Sequence, residues 1–595
     1  MKIDPKTNNL LREGVPSIVN PYDSYALEMA ARIKDEQPGV KITAISMGPR
    51  QAESALRQCL AAGADEACLV SDRAFSGSDT LATSYILSRA IRYLQARQGP
   101  FDLILCGRQA IDGDTAQTGP ELAEHLDCPQ ITLVKKIHVS GGIVRAVRET
   151  QRGTEIWETS LPAVITVTKP DFEPRCPTVS AKLAAKRAGI RVLAMEDIKA
   201  EAGRCGLKGS PTAVRKTFTP PPRAGGVIVR DENAREAAAR LVSLLRPRLN
   251  AGERPKSDAP AAPAASFESA GVWVWVESPG GPAALLHAGR RLASLLKTGL
   301  TAILFGHNIE NAIHAILGAD RLIFMDDPAL AEYNPEIYTA AMHRLVQKYK
   351  PDTVLFGAAR NGRDFAPRLA CRLRTGLTAA CTGLDADPET GRVQWIRPAF
   401  SGNLMAVIEC PETRPQMGTV RLAGNAGPVP AAGRVTEIIR EHISGLPQPR
   451  ARLVERLDGA DNGDSLADAE IIVSGGRGLG GAENLSLLRE LADALGGAVA
   501  ISRPAADAGW LPRVYQVGQS GAVVSPKLYI ACGISGAVQH LAGISRAEVI
   551  VAVNSDPAAP IFSVADYGIV GDVREALPAV AEGIRRMKNE SENGA

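Results

Sequence analysis

Residues 102–114 read DLILCGRQAIDGD, and 250 residues later residues 352–364 read DTVLFGAARNGRD. Each stretch is a short apolar run that ends in a glycine, with an aspartate seven residues beyond that glycine. The stretches that begin at Ile42 and Leu300 also repeat each other, with Gly-Ala-Asp between two apolar runs. Short apolar runs that alternate with amphipathic helices are typical of parallel βαβ units. A repeat of this length indicates a duplicated domain rather than a solenoid.

Composition restricts the classes of function. The 595 residues are 45% hydrophobic and 22% charged, with a formal net charge of +3, and this length predicts about three or four domains. So small a net charge predicts no nucleic-acid partner, and the lack of a long apolar run predicts no membrane insertion. Ten cysteines without a C-x-x-C pair predict no metal site and a reducing, cytoplasmic location.

The repeat and a linker predict a domain map. The stretch NAGERPKSDAPAAPAASFES, residues 250–269, is rich in Ala and Pro and predicts a semi-stiff linker. The C-terminal part has no counterpart in the first half, which indicates that the two halves differ in function. The predicted map comprises a first repeat domain at 1–249 with a C-terminal arm and helix at 205–249, the linker at 250–269, a second repeat domain at 270–445 and a C-terminal domain at 446–595. The predicted fold class is α/β, with three doubly wound parallel-sheet domains.

The C-terminal domain carries a glycine loop between an apolar run and a helix pattern. Gly476, Gly478 and Gly481 satisfy G-x-G-x-x-G, a spacing that permits close backbone approach to a pyrophosphate at a helix N-terminus. A nicotinamide-binding domain has an acidic residue at the end of the next strand, where this chain has Ser502 and Arg503. Later strands also end in small or polar residues, at the edge where open α/β sheets bind ligands. We therefore expect a large nucleotide cofactor other than NAD across this edge.

The chain resembles the electron transfer flavoproteins along nearly its whole length. GGRGLG, QVGQSG, PKLYIACGISGAVQHLAGI and VIVAVNSDPAAPIFSVADYGIVGD resemble the FAD domain of the α subunit. GRDFAPRLACRLRTGLTAACTGLD and RPAFSGNLMAVI resemble the N-terminal domain of the same subunit. REGVPSIVNPYDSYALE and CGRQAIDGDTAQTGPELAEHL resemble the β subunit. The resemblance implies that β-like and α-like portions are joined in this order in one chain.

The resemblance also implies the residues that hold FAD in the C-terminal domain. They follow successive strands, and no catalytic acid, base or nucleophile is expected among them because flavin itself carries the redox chemistry. The implied residues are Arg477, Ser502, Arg503, Gln516, Val517, Gly518, Gln519, Ser520, Ser535, Gly536, Ala537, Val538, Gln539, His540, Asn554, Asp572 and Val573.

A second nucleotide site is implied in the first half. Simple electron transfer flavoproteins hold AMP there, and electron-bifurcating members hold a second FAD that accepts a hydride from NADH. The stretch AIDGDTAQTGPE is similar to the bifurcating type, so we expect a second FAD, with a single-FAD carrier holding AMP as the alternative. The implied residues are Asn20, Pro21, Tyr22, Asp23, Met47, Asp112, Asp114, Thr115, Gln117, Thr118 and Gly119.

Two stretches depart from the family pattern. The family's β subunit opens with a strand and a V-P-D-T-like loop, whereas MKIDPKTNNLLREG corresponds to residues beyond that strand, so we expect the translated start to lie further upstream. The family's docking loop carries a leucine before a basic stretch, and Val179 stands there, followed by Lys182, Lys186 and Arg187.

The resemblance implies electron transport in the cytoplasm, including fatty acid β-oxidation. The implied partners are an acyl-CoA dehydrogenase-type flavoenzyme and a ferredoxin, flavodoxin or quinone oxidoreductase. Two other interpretations stay open at this point. A nicotinamide-dependent dehydrogenase is disfavoured by Ser502 and Arg503. An adenine-nucleotide sensor accounts for the duplicated domains but not for the C-terminal one.

Overall fold

The computed structural model describes most of the chain. The described residues are 17–150, 153–219, 226–230, 233–249, 271–277, 283–311, 313, 316, 318–399, 404–421, 437–442, 444–458, 466, 469–518, 521, 522, 524, 526–545 and 547–593. The predicted linker at 250–269 lies outside them. No helix among these residues is long and apolar enough to cross a membrane.

The first half alternates strands and helices up to residue 126, as its sequence predicts, and then has four consecutive strands between residues 130 and 167. Its helices are α1 (Pro21–Glu36), α2 (Glu53–Ala61), α3 (Thr80–Gln98), α4 (Thr118–Leu126), α5 (Val179–Arg187), α6 (Gly206–Gly209) and α7 (Ala234–Leu249). Its strands are β1 (Thr43–Met47), β2 (Glu66–Val70), β3 (Leu103–Gly107), β4 (Gln130–Ser140), β5 (Ile143–Glu149), β6 (Gly153–Ser160), β7 (Ala163–Val167), β8 (Arg191–Leu193), β9 (Ala213–Phe218) and β10 (Val227–Val229).

The second repeat begins with the same alternation and then has consecutive strands between residues 377 and 458, after which the C-terminal domain returns to strands separated mostly by helices. The helices are α8 (Ala283–Leu295), α9 (Pro335–Tyr349), α10 (Arg360–Leu373), α11 (Leu485–Leu495), α12 (Arg503–Asp507), α13 (Val538–Ile544) and α14 (Val573–Asn593). The strands of the second repeat are β11 (Val272–Val276), β12 (Leu300–Gly306), β13 (Arg321–Asp326), β14 (Thr353–Gly357), β15 (Leu377–Cys381), β16 (Gly383–Asp387), β17 (Arg392–Ala399), β18 (Leu404–Glu409), β19 (Gln416–Val420), β20 (Glu437–Arg440) and β21 (Ala451–Asp458). Those of the C-terminal domain are β22 (Ile471–Gly475), β23 (Ala498–Ser502), β24 (Gln516–Val517), β25 (Leu528–Cys532), β26 (Val549–Asn554) and β27 (Tyr567–Val570).

The chain forms two compact units. Unit 1 comprises residues 1–219, 262–422 and 426–460, and unit 2 comprises 220–261, 423–425 and 461–595. The α/β class with several parallel sheets is confirmed. The exact domain boundaries stay predictions.

Unit 1 contains both copies of the repeat. The second copy builds one parallel sheet in the order β15-β19-β14-β11-β12-β13-β20, while the first copy has β1-β2-β8 in one sheet and β3-β7-β4 in another. Each copy also receives one strand at the edge of its antiparallel sheet from a segment that follows the other copy. Strand β9 of the first copy extends the β16-β17-β18 hairpins of the second, and β21, which follows the second copy, pairs with β6 of the first.

The contact between the two copies is centred on a buried carboxylate. Asp364 of α10 is 3% exposed and accepts hydrogen bonds from Gln130 Nε2 at 2.6 Å and Thr132 Oγ1 at 3.0 Å. Tyr333 donates its hydroxyl at 3.1 Å, and Arg148 Nη2 lies at 3.4 Å. Because buried polar groups are costly when unpaired, this network specifies how the two copies pack.

Asp364→Asn is expected to destabilise unit 1 by about 2 kcal/mol, since it removes the buried carboxylate that faces the guanidinium of Arg148. Four of the five tryptophans lie in unit 1, so urea unfolding followed by tryptophan fluorescence measures this change. Asp385→Asn, at an exposed position, serves as the control. An equal unfolding midpoint for both variants would show that Asp364 is not a structural anchor.

Unit 2 is a single parallel sheet that includes the end of the first half. Its order is β10-β27-β26-β25-β22-β23-β24. Strand β10 pairs with β27, and Ala238, Leu241 and Leu245 of α7 are buried in the same core as Val580 and Ile584 of α14. The arm and helix predicted at the end of the first half therefore complete the C-terminal sheet.

Candidate cofactor sites

The residues expected to hold FAD follow the carboxyl ends of the strands of unit 2. Strand β22 ends before Arg477, β23 ends at Ser502, and β26 ends at Asn554. The other expected residues follow β24, β25 and β27, namely Gly518, Ser535, Gly536, Ala537, Val538, Gln539, His540, Asp572 and Val573, with Gln516 and Val517 forming β24 itself. Gln519 and Ser520 lie outside the described residues. Parallel strands present these ends at one edge of the sheet, which is where open α/β sheets bind ligands.

Two glycines of the glycine loop are required by a contact between loops. A Cβ atom on Gly476 would lie 2.3 Å from the carbonyl oxygen of Gly533, and one on Gly478 would lie 2.7 Å from Cα of Gly533. The three atoms nearest to a Cβ on Gly481 would be those of the carboxylate of Glu483, which can rotate away. Helix α11 begins at Leu485, after two short 3₁₀ turns. The glycine loop thus lies between a strand and a helix as expected, and it crosses the loop after β25 before the helix begins.

His540 is the buried polar side chain at this edge that lacks a full set of partners. It is 7% exposed, and its Nε2 lies 3.0 Å from the hydroxyl of Tyr529. Its Nδ1 makes no hydrogen bond of regular geometry among the described residues, although the backbone of Val517 lies close enough to favour the protonated ring slightly. Burial lowers the pKa of His540 to about 4, so the ring is neutral at pH 7. It offers a hydrogen bond to a ligand rather than a positive charge.

The pKa of His540 predicts a pH dependence for unit 2. Because the folded pKa of about 4 lies below the ordinary value of 6.5, the unfolded chain binds more protons between these values. The resulting stability is complete above pH 6.5 and is lost as the pH falls toward 4. Between pH 7 and pH 5, the free energy of unfolding of unit 2 is expected to fall by about 2 kcal/mol more in the wild-type chain than in the His540→Gln variant.

The midpoint of thermal FAD release, followed by flavin fluorescence, measures this difference. The His540→Gln variant should show a flatter dependence of that midpoint on pH. Parallel pH curves for the two proteins would contradict the assignment of a depressed pKa to His540.

Other side chains at this edge differ in their exposure to solvent and in the partners that they contact. Arg477 and Arg503 are exposed, and Arg503 forms an exposed ion pair with Asp507 at 3.3 Å. Val538 is 78% exposed although it is apolar. Asn554 donates from Nδ2 to the carbonyl of Ile534 at 2.9 Å. The edge thus combines exposed cations and an exposed apolar side chain with a polar residue that shapes the neighbouring loop.

The expected residues of the first half meet at the start of α1 and the end of β3. Asn20 donates from Nδ2 to the carbonyl of Gln109 at 2.9 Å and accepts from the amide of Ile111. Asp23 accepts from the amide of Gly107 at 2.6 Å, and burial raises the pKa of this carboxyl. The helix start is therefore tied to the loop that follows β3.

That loop has an unusual backbone. Asp114 and Ala116 have φ values of 52° and 58°, in the left-handed region that side chains other than glycine rarely adopt. Such conformations cluster at ligand-binding sites, because they persist only when the surroundings impose them. Asp112, Thr115, Thr118 and Gly119 lie in the loop or at the start of α4, and Met47 ends β1.

The side chain of Gln117 is buried and forms hydrogen bonds to other residues of the protein. It is 2% exposed, its Nε2 donates to the carbonyl of Leu377 at 2.9 Å, and its Oε1 accepts from Thr80 at 2.9 Å. Gly119 is required by packing, since a Cβ there would lie 2.5 Å from Cγ2 of Thr166. These two residues position the loop against both copies of the repeat.

The sequence analysis missed two arginines beside this loop. Arg397 of β17 is 6% exposed, and its Nη2 donates to the carbonyl of Gly113 at 2.7 Å. Its Nε has no partner among the described residues, and the same holds for Nε of Arg108, whose guanidinium lies 4.5 Å from the ring centre of Tyr22. Burial lowers the pKa of Arg397. A buried guanidinium with an unpaired nitrogen fits a ligand that supplies an oxygen atom.

The first copy of the repeat has a buried arginine on the corresponding strand, and the Nε of that arginine also has no partner among the described residues. Arg148 lies on β5, the strand that corresponds to β17 within the paired hairpins, and its guanidinium faces the carboxylate of Asp364 at 3.4 Å. The motif RPAFSGN contains Arg397, but no pattern in one sequence tells that this arginine is buried against a loop 284 residues away.

Comparison with known proteins identifies the family. The electron transfer flavoprotein domain matches residues 7–198 and 282–443, and the electron transfer flavoprotein FAD-binding domain matches residues 465–545. The chain is 46% identical to electron transfer flavoprotein subunit alpha of Thermoanaerobacterium thermosaccharolyticum, across 53% of this chain and 98% of that protein. It is 49% identical to electron transfer flavoprotein subunit beta of Megasphaera elsdenii, across 40% of this chain and 89% of that protein. It is 38% identical to acryloyl-CoA reductase electron transfer subunit beta of Anaerotignum propionicum, across 53% of this chain and 96% of that protein. The chain therefore belongs to the electron transfer flavoprotein family, with β-like and α-like portions in a single polypeptide.

Proposed function

We propose that this chain is a two-flavin electron carrier, with one FAD at the carboxyl edge of the unit 2 sheet and a second FAD in the first half of unit 1. The match of the FAD-binding domain to residues 465–545 supports the first site. The unpaired, buried Nε of Arg397 beside the loop 112–119 carries the proposal of the second.

The edge of unit 2 fits a flavin nucleotide. Val538 offers an apolar surface, and Arg477 and Arg503 offer positive charge for an anionic group. His540 offers a ring nitrogen that makes no hydrogen bond of regular geometry among the described residues. Bound there, FAD would supply hydride and single-electron chemistry, while these side chains orient it and exclude water from one face.

In the first half, the strained loop and the two arginines fit a ligand rich in oxygen atoms. Arg397 would hold an oxygen of the nucleotide, and Asn20 and Asp23 would keep the loop in place. Both FAD and AMP satisfy this chemistry. We favour FAD because the stretch AIDGDTAQTGPE, residues 110–121, is similar to that of bifurcating members.

With NADH as the electron donor, the proposed activity is flavin-based electron bifurcation. One electron goes to an acyl-CoA dehydrogenase-type flavoenzyme and the other to a low-potential acceptor such as a ferredoxin or flavodoxin. The name of the Anaerotignum relative, an electron transfer subunit of acryloyl-CoA reductase, supports a partner that acts on acyl-CoA. A quinone oxidoreductase as acceptor, the role in fatty acid β-oxidation and the cytoplasmic location stay predictions.

Helix α5 provides the proposed docking surface for the dehydrogenase. Its first residue, Val179, is 76% exposed, and Leu183 on the same helix is 51% exposed. Thr178 caps its start, and Nη1 of Arg57 donates to the carbonyl oxygens of Ala185, Lys186 and Ala188 at its end. An apolar anchor on a helix fixed at both ends suits a protein partner.

Anaerobic titration with NADH tests the proposed function. A bifurcating carrier is expected to lose its flavin absorbance when NADH is added, because the second FAD accepts the hydride. Dithionite added afterwards shows that every flavin present is reducible. Flavin that dithionite bleaches and NADH leaves oxidised would reduce the chain to a carrier that depends on another protein for its electrons.

A further inference from the structure

Helices α4 and α10 occupy equivalent places in the two copies of the repeat and carry different buried ionisable groups. Residues 120–126 read PELAEHL and residues 367–373 read PRLACRL, so that Glu121 corresponds to Arg368. Each of these two side chains is 1% exposed. The duplicated position thus holds a buried carboxyl in the first copy and a buried guanidinium in the second.

Arg368 has partners for its buried charge. Its Nε donates to Oε2 of Glu124 at 2.8 Å, its Nη1 to Oε1 of Gln130 at 3.2 Å and its Nη2 to the carbonyl of Cys128 at 3.2 Å. The guanidinium therefore keeps its charge at no great cost, because a carboxylate and two neutral acceptors surround it.

Glu121 is not surrounded in this way. Its Oε1 accepts a hydrogen bond from Oγ1 of Thr80 at 3.0 Å, and its Oε2 makes no hydrogen bond of regular geometry among the described residues. The hydroxyl of Ser84 lies close enough to favour the charged form slightly, but it donates to the carbonyl of Leu81 at 2.9 Å. Among the described residues, no lysine or arginine is one of the groups that shift the pKa of Glu121. A buried carboxylate without a cation is costly, so these surroundings favour the protonated acid.

The neighbouring carboxylate of Asp79 acts in the same direction. Asp79 caps the start of α3 and accepts hydrogen bonds from the amide of Ala82 at 3.0 Å and from Oγ1 of Thr212 at 2.7 Å. Burial raises the pKa of Asp79, and these hydrogen bonds oppose that rise. Burial, followed by the charge of Asp79, raises the pKa of Glu121 from 4.5 to about 8. The folded chain therefore keeps a proton on Glu121 between these two values, where the unfolded chain has lost it, and releases it above about pH 8.

The other titratable groups around Glu121 keep one charge state near neutral pH. The thiol of Cys371 on α10 donates to the carbonyl of Glu121 at 3.6 Å, and burial raises its pKa. Burial lowers the pKa of His125, one turn further along α4, to about 4. The remaining charged groups on the elements packed against α4 are paired or stacked elsewhere, namely Glu124 with Arg368 and Arg372, and Arg204 over the ring of Tyr85.

The contacts of Thr80 make the protonation state of Glu121 decisive for Gln117. Oγ1 of Thr80 lies 3.0 Å from Oε1 of Glu121 and 2.9 Å from Oε1 of Gln117. A threonine hydroxyl has a single proton, so it donates to one of these two acceptors at a time. When Glu121 is protonated, its O–H donates to Thr80, and the hydroxyl proton of Thr80 goes to Gln117. When Glu121 is ionised, its charged carboxylate takes that proton, and the buried Oε1 of Gln117 is left without a donor.

Gln117 connects this proton to the loop beside the candidate nucleotide site. It is the residue before α4, its Nε2 donates to the carbonyl of Leu377, and it directly follows the left-handed residues Asp114 and Ala116. We infer that Glu121 is a positioning residue for the nucleotide of the first half. The proton on its carboxyl completes the chain of hydrogen bonds through Thr80 to Gln117 that holds the loop 112–119, and loss of the proton loosens the loop. The inference rests on the proposed function in one respect, namely that a nucleotide binds beside this loop.

The pH dependence of nucleotide binding tests the inference. The dissociation constants of FAD and of AMP at the first-half site are measured on the full chain by equilibrium dialysis, from about pH 6.5 to about pH 9.5. Wild-type binding is expected to weaken at least about tenfold across this range. Glu121→Gln is expected to bind tightly at every pH, because its uncharged amide donates to Thr80 permanently. Thr80→Val keeps the shape of the side chain but cuts the chain of hydrogen bonds, so it is expected to bind weakly at every pH.

Three results would overturn the inference. The first is a pH curve of Glu121→Gln that runs parallel to that of the wild type. The second is weak binding by Glu121→Gln at every pH, and the third is tight binding by Thr80→Val. A purely structural role for Glu121 would not produce the pH-independent binding expected of the Gln variant.

Hydrogen exchange without added nucleotide keeps this result separate from the fate of the second flavin site. Amide exchange at residues 112–119 is measured in the wild type and in Glu121→Gln at the same pH values, and the ratio of the two rates cancels the intrinsic effect of pH on exchange. The wild-type rate is expected to rise at least about fivefold relative to the variant above the pKa of Glu121. A ratio that stays constant with pH overturns the inference, whichever nucleotide binds. Binding of AMP without a second FAD would contradict the two-flavin proposal and would leave the role of Glu121 to be decided by the pH curves for AMP.

Discussion

Arg397→Met is expected to weaken binding of the nucleotide in the first half about 100-fold, while the FAD of unit 2 stays bound. The guanidinium is buried, bonded to the carbonyl of Gly113, and retains an unpaired Nε among the described residues. Methionine preserves much of the volume but offers no donor, so an oxygen of the ligand would be buried without its partner. Loss of the bond to Gly113 also releases the loop that contains Asp114.

The comparison uses nucleotide released from denatured protein, counted per chain. Arg392→Met, at the other end of the same strand, controls for loss of an arginine on β17. The flavin of unit 2 is an internal measure of folding in both variants. Retention of the full nucleotide content by Arg397→Met would show that this arginine does not hold the ligand.

Gly478→Ala is expected to destabilise unit 2 by about 3 kcal/mol and to weaken its binding of FAD tenfold or more. The added Cβ would lie 2.7 Å from Cα of Gly533 and 2.8 Å from its carbonyl oxygen. Both are backbone atoms, so the loop after β25 has to move. That loop leads to Ser535, Gly536 and Ala537, which are expected to contact the cofactor.

Gly481→Ala is the matched control, because it changes the third glycine of the same motif in the same way. The three atoms nearest to its Cβ would all belong to the carboxylate of Glu483, and its φ of −172° is open to any residue. We expect normal FAD content and an unchanged unfolding midpoint. If both substitutions lowered the FAD content and the unfolding midpoint equally, the glycines would be needed for close approach to the cofactor. The contact between the two loops would then not be the reason for them.

Much of the fold follows from patterns that repeat along the chain. The apolar runs at 102–107 and 352–357 and the Gly-Ala-Asp turns predict the parallel strands found there. The exchange of β9 and β21 between the two copies was not predictable, since it depends on pairing between residues more than 150 positions apart. The placement of β10 and α7 on the C-terminal sheet was missed for the same reason.

The sites show the same limit. The strand ends that carry Ser502, Asn554 and Asp572 are visible in the sequence, because small and polar residues interrupt apolar runs there. Arg397 and Arg108 are recognised as candidate ligand-binding residues only because each has a buried nitrogen that is unpaired among the described residues. A pattern of residue types does not contain these properties, because they arise where distant segments meet.

The most direct test of the account is a count of FAD and AMP per chain, made after denaturation of the purified protein. It is made on the chain as given in the sequence. Two FAD and no AMP per chain are expected. One FAD with one AMP, or one FAD alone, would contradict a second flavin and with it the proposed bifurcation.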